Sequence, residues 1–228
     1  MDNNFQMNTY IDLCFFSIYQ DKLCVLLVKR ANEPFSSVWA LPGGIWESNL
    51  NPDDAATNTM FRKTGLRDIY LEQLQTYGGI GRDPRGPSVS VAYLGLVNYD
   101  KLGKTLHNNE DLEMKWCPIS EIPRLAFDHN KMVDDAQKRI INKLQYTKVG
   151  FELVGKEFTI QELCSTFEDI LGYSIDASNL RKKLTSLKII KEVKNPNIKN
   201  NTGRGRKSTI YQLDEAIFNR MPSNERFF

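Results

Sequence analysis

Ten Lys and Arg side chains stand between Arg181 and Lys207, against a single acid, Glu192. The local charge is +9 over 27 residues, in a chain whose total is only +2. A single-signed excess of that density suits a polyanion. Further cations sit upstream. Arg62 and Lys63 precede Thr64-Gly65-Leu66, and Arg82 and Arg85 lie in the Gly/Pro-rich stretch Gly81–Pro87. Guanidinium groups offer a planar fork to phosphate or carboxylate. Side chains suited to acid–base or nucleophilic chemistry are few. His107 falls in a polar stretch, and His129 follows Asp128 at a helix start, where a capping pair is expected. The four cysteines, Cys14, Cys24, Cys117 and Cys164, have no C-x-x-C spacing. They read as reduced core thiols, not as a structural zinc site.

The elements that must position these residues are marked by their patterning. Thr9–Tyr19 and Leu23–Lys29 are β-branched and aromatic runs expected to form two strands, and Pro34 marks a loop over residues 31–38. Asn51-Pro52 with Asp53 and Asp54 opens a helix, and Arg62, Lys63 and Gly65 close it. Strands are expected near 70–77, 88–97 and 113–118. A long helix begins after Asp128, with Met132, Ala136, Ile140 and Leu144 on one stripe. Two glycines within Tyr146–Gly155 break the pattern, so a domain boundary is placed near residue 150. Beyond it, Thr159-Ile-Gln-Glu162 is a capping box. Its helix stops at Gly172, and a second helix starts after Asp176 with Leu180, Leu184 and Leu187 inward. Ile189–Val193 and Thr209–Leu213 then form a hairpin around a basic loop. The polar opening MDNNFQM predicts no signal peptide. No long apolar run predicts a membrane span.

Leu41-Pro-Gly-Gly44 ahead of a capped helix that ends Thr64-Gly65-Leu66 resembles the Nudix box, G-x5-E-x7-R-E-U-x-E-E-x-G-U, and Gly44 and Gly65 stand the required 21 apart. The resemblance implies hydrolases whose helix carboxylates hold Mg²⁺ or Mn²⁺ against a pyrophosphate. Here the first Glu of the pattern falls on Leu50, the Arg-Glu pair on Asn58-Thr59 and the Glu-Glu pair on Arg62-Lys63. Hard divalent cations need oxygen ligands, usually carboxylate. A positive pair in their place repels the ion. Glu47, Asp53 and Asp54 remain nearby but off the box positions. The expectation is therefore a loop–helix–loop that keeps its structure without metal-dependent hydrolysis: no catalytic residues, no metal and no cofactor.

Three more stretches narrow the resemblance: Tyr70–Gly78 with Gly81–Tyr93, then Leu125-Ala-Phe-Asp-His129, then the basic C-terminal unit. Together they resemble the Nudix-related transcriptional regulators of the NrtR type over about residues 5–215. That resemblance implies a Nudix-fold domain that binds a small effector and a winged helix that binds operator DNA within a homodimer. Many members sense ADP-ribose or a related nucleotide of NAD metabolism, and one branch senses a pentose. A pentose or pentose phosphate stays open here, because the helix carboxylates are missing. By local sequence alone the turn carrying Arg82 and Arg85 reads as a solvated loop between strands, or a dimer contact. The resemblance makes Arg82, Arg85 and Glu47 the expected effector contacts.

In winged-helix modules the second helix of the helix-turn-helix enters the major groove. With Leu180, Leu184 and Leu187 inward, the outer face presents Ser178, Asn179, Arg181, Lys182 and Lys183. Arg can read guanine and Asn adenine in bidentate fashion. The wing, Thr202–Ser208, adds Arg204, Arg206 and Lys207, with glycines that let backbone approach phosphate.

The expected fold class is α+β: a Nudix α/β/α sandwich with a mixed sheet over residues 1–149 (degenerate box 44–66), then a winged helix-turn-helix over 150–228. The expected function is a cytoplasmic, DNA-binding repressor, with no membrane association. The rival is a Nudix pyrophosphatase acting on ADP-ribose or a similar nucleoside diphosphate derivative. Aromatic residues are not interleaved in the basic stretch, which argues against single-stranded RNA.

Overall fold

Strand β1 (Asn8–Tyr19) buries both of its faces, which makes it the centre of the first half of the molecule. The computed structural model describes residues 7–20, 22–99, 113–194, 208–222 and 225–227. By contacts the chain divides into two compact units, 1–139 and 140–228. The division falls within a helix, His129–Leu144. Within the second unit Leu144, on the last turn of that helix, lies against Gly150.

In the first unit β1 runs parallel to β6 (Ser88–Leu96) and antiparallel to β2 (Lys22–Lys29). The sheet order is β3–β2–β1–β6–β5, with β3 at Trp39–Ala40 and β5 at Tyr70–Gly78. Strand β4 (Gly43–Ile45) pairs with β1, and β7 (Met114–Pro118) pairs with β2, giving seven strands among the described residues. Strand β1 is buried on both faces, and its alternate residues sort to the two sides of the sheet. Ile11, Leu13 and Phe15 join Val91 and Tyr93 beneath helix α1 (Pro52–Thr64), which contributes Ala55, Ala56 and Met60. Helix α2 (His129–Leu144) covers the other face. His129 reaches Asp12, Asp135 bonds Gln75 and Tyr77, and Arg139 bonds Glu72 and the Leu74 carbonyl. The α/β/α sandwich with its mixed sheet is thus present.

Helix α1 ends as its composition requires. Gly65 takes a left-handed φ of 72° and its N–H bonds the Phe61 carbonyl, a conformation that costs glycine little. At the other end Asn51 makes no side-chain cap, and Asp53 accepts a 2.5 Å hydrogen bond from the Tyr93 hydroxyl instead.

The second unit contains α3 (Val149–Val154), α4 (Ile160–Leu171) and α5 (Ala177–Ser186), then the antiparallel pair β8 (Ile190–Glu192) and β9 (Tyr211–Leu213), and a short α6 (Glu215–Phe218). A bridge from Phe158 to Tyr211 widens that pair. Both halves of the Thr159–Glu162 capping box form. Phe151 is the hub of the core, with Phe158, Phe167, Phe218 and Phe227 at ring separations of 5.6 to 6.4 Å. Gly150 is glycine for a packing reason, because a Cβ there would overlap the Phe167 ring.

Candidate functional site

The first unit holds a cleft of about 750 Å³. Its floor comes from the ends of β1, β2 and β4, which bring Tyr10, Asp12, Arg30 and Gly43–Ile45 together. The last turn of α1 adds Arg62 and Lys63, the loop after β5 adds Arg82, Asp83 and Arg85, and Phe127 and His129 at the start of α2 complete the lining. All three expected effector contacts, Glu47, Arg82 and Arg85, line this one cleft.

The three differ in what they already hold. The Arg82 side chain is 7% exposed and clamps Asp128 through two bonds of 2.7 and 3.0 Å, with a third donor 3.2 Å from the Ser88 hydroxyl. Arg85 forks onto both oxygens of Asp83, which is buried. Burial alone would raise the Asp83 carboxyl, but hydrogen bonds from the Arg85 side chain and backbone outweigh it and hold its pKa low. Glu47 pairs with Arg62 at 3.1 Å, and both side chains are open to water.

Aromatic faces complete the cleft. The guanidinium carbon of Arg85 lies 5.3 Å from the Tyr10 ring centre and 5.5 Å from that of Phe127. Arg30 covers Phe127 at 4.8 Å while donating to the carbonyls of Pro34 and Asn32. Phe127 takes a left-handed φ of 53°, a conformation that costs a bulky residue energy and is often found at functional sites. Planar rings and guanidinium forks together suit a flat heterocycle joined to anionic groups.

The capping role expected of Asp128 and His129 is not what these side chains do. Asp128 is engaged by Arg82. His129 is buried, and its Nδ1 accepts a 2.9 Å hydrogen bond from the Leu41 amide. Its Nε2 lies 3.6 Å from Asp12, whose other oxygen accepts 2.6 Å from the Ser90 hydroxyl. Burial lowers the His129 pKa despite the neighbouring Asp12, and because Nδ1 accepts from the Leu41 amide, the ring's proton sits on Nε2. Asp12, Tyr10 and Arg30 were not singled out by sequence. An acid inside the apolar run Tyr10–Phe16 is the signal that marks Asp12.

At the box positions where the resembled hydrolases carry carboxylates, this chain has other side chains. Leu50 packs on the α1 core, Thr59 is buried, and Arg62 and Lys63 bring positive charge to the remaining positions. Among the described residues no three His, Cys, Asp or Glu side chains converge to hold an ion.

In the second unit, α5 buries Leu180 and Leu184, with Leu187 half-buried just past its end. Asp176 caps it by accepting from the Asn179 amide at 2.8 Å. Ser178, Asn179, Arg181 and Lys182 are exposed on its outer side. Lys183 is half-buried and pairs with Glu225. Arg204, Arg206 and Lys207 lie outside the described residues. No helix among the described residues is long and apolar enough to cross a membrane.

Comparison with known proteins places both units. The NUDIX domain model matches residues 12–136, and the NrtR DNA-binding winged helix domain model matches residues 150–213. The chain is 34% identical over 186 residues to the ADPR responsive transcriptional repressor NtrR of Acinetobacter baylyi, covering 80% of this chain and 74% of the relative. It is also 34% identical over 112 residues to an ADP-ribose pyrophosphatase of Methanocaldococcus jannaschii, covering 49% of this chain and 64% of that one. Shewanella oneidensis NrtR in complex with a 27mer DNA superposes with a TM-score of 0.81 at 30% identity, over 96% of this chain and 97% of that one. The NUDIX domain of the same protein, complexed with ADP ribose, gives 0.52 at 29% identity, over 61% and 93%.

Proposed function

Because this chain belongs to the Nudix-related regulators that end in an NrtR-type winged helix, we propose that it is a cytoplasmic, homodimeric repressor. Its second unit binds operator DNA, and its first unit senses ADP-ribose or a related nucleotide without hydrolysing it. The observation that carries the reading is the outer face of α5. Ser178, Asn179, Arg181 and Lys182 stand exposed on a helix anchored from behind by Leu180 and Leu184. That is the arrangement by which a recognition helix meets base edges and phosphates.

Nucleotide sensing is supported by the mixture of aromatic faces and guanidinium groups in the cleft, and by the ADP ribose bound to the NUDIX domain of the Shewanella relative. The cationic side chains on the cleft, Arg62 and Lys63 among them, favour a phosphorylated ligand over a neutral pentose. The absence of hydrolysis is supported by Leu50, Thr59, Arg62 and Lys63, which stand where catalysis needs metal-binding carboxylates.

The test uses the full chain. A duplex is selected from random sequence by binding, and its affinity is followed by gel shift against ADP-ribose, NAD, phosphorylated pentoses and free pentoses. ADP-ribose should change operator affinity at least tenfold, and free pentoses should not. Charge reversal at Arg181 and Lys182 should abolish selected binding with circular dichroism unchanged. Undiminished binding would remove α5 as the reader. Brisk Mg²⁺-dependent turnover of ADP-ribose would favour the hydrolase instead.

A further inference from the structure

We propose that Arg62 and Lys63 take the place of the divalent ion and hold the effector's diphosphate directly, so that this cleft binds its anion without metal. The identity of the ligand rests on the nucleotide reading above; the anion seat itself does not.

Both residues fall on the box positions reserved for the metal-binding pair, and both line the 750 Å³ cleft. They project from the last turn of α1, and the Arg62 guanidinium lies along the Gly44 loop, 3.7 Å from where a Cβ on that glycine would stand. Arg62 pairs with a single Glu47 oxygen at 3.1 Å, and the two side chains are 53% and 40% exposed. An ion pair so open to water holds its partners weakly, and a phosphate oxygen can replace the carboxylate with little loss.

The other guanidiniums around the cleft are committed. Arg82 is clamped on Asp128 and Ser88, Arg85 on both oxygens of Asp83, and Arg30 on two backbone carbonyls. Of the nearby acids, Asp53 accepts from Tyr93 and Glu47 pairs with Arg62. The cleft thus presents two cationic side chains, Arg62 and Lys63, at the seat where hydrolases place their metal ligands. Glu47 acts as a placeholder that the incoming anion displaces. Charge-assisted hydrogen bonds of this kind are the strong ones.

The experiment is isothermal titration calorimetry on the full chain. ADP-ribose and, separately, inorganic pyrophosphate are titrated with EDTA present, and ADP-ribose is repeated in Mg²⁺. Both ligands should bind in EDTA, and Mg²⁺ should leave the ADP-ribose affinity within about threefold. R62Q/K63Q should weaken both by about tenfold or more, the loss expected for hydrogen bonds to a charged group. E47Q should tighten both, because it removes the competing carboxylate; a merely structural ion pair would give no gain. Arg62 is exposed and Lys63 and Glu47 are partly exposed, and tryptophan-fluorescence melts would verify the folding of the variants. Binding that is lost in EDTA and restored by Mg²⁺ would overturn the proposal, as would wild-type affinity in R62Q/K63Q. If pyrophosphate binds in EDTA through Arg62 and Lys63 while ADP-ribose does not bind, the nucleotide reading falls and the anion seat stands. If neither ligand binds, the anion seat falls.

Discussion

Replacing Arg82 with Met should cost the first unit more stability than its place on the wall of a binding cleft suggests. The Arg82 side chain is 7% exposed, and it forms both bonds of a bidentate clamp on Asp128. Breaking a buried pair by removing one partner costs about 3–5 kcal/mol, because the other charge is left uncompensated. The Asp128 side chain is 25% exposed, so water recovers part of that loss. A net cost of about 3 kcal/mol results, and at about 2–4 °C per kcal/mol for a unit of this size the melting point should fall by about 6–12 °C. The assay is selective: all three tryptophans, Trp39, Trp46 and Trp116, lie in the first unit, so their fluorescence reports its melting alone. In a double-mutant cycle with Asp128→Asn, the coupling between the two changes should reach about 1–3 kcal/mol. A melting point within about 2 °C of the parent, or strictly additive effects, would refute the argument that Arg82 is a structural clamp before it is a ligand.

Neutralising Arg204, Arg206 and Lys207 should weaken binding to all DNA sequences. Each lost phosphate contact should flatten the slope of log K against log salt by about 0.9; an unaltered slope would take the wing out of the phosphate-contacting set. Gly150→Ala would press a methyl into the Phe167 ring. Overpacking of that kind costs about 1–3 kcal/mol or more, and it should show as earlier melting of the second unit by circular dichroism, with no change meaning that the aromatic core yields. His129 gives a pH dependence with a definite sign. Its pKa in the folded protein lies below the ordinary 6.5 because the ring is buried, so below about pH 6.5 the unfolded chain takes up the proton first. The contribution of His129 is therefore fully present above that pH and is lost as the pH falls toward the folded value. His129→Asn should shrink the difference in melting point between pH 7.5 and 5.5, and an identical difference would show that the ring does not control it.

Much of this protein was legible from residue order because the relevant forces are local. The Thr159–Glu162 capping box and the Gly172 stop act over a few residues, and α4 formed where they placed it. The cap at Asp176 and the leucine spacing likewise set which face of α5 turns outward, and so exposed Arg181 and Lys182. That Leu50, Thr59, Arg62 and Lys63 stand at the box positions is readable without any coordinate. What only the tertiary structure decided is which charges are already paired. Arg82 and Arg85 look alike in sequence, yet the fold brings Asp128 from 46 positions away to neutralise one, while the other turns back on Asp83. His129 became a buried acceptor for Leu41, 88 positions distant, only because α2 covers the face of the sheet that carries Asp12. Charge pairing depends on distance in space and on exclusion of water, and neither is written in the spacing of residues along a chain.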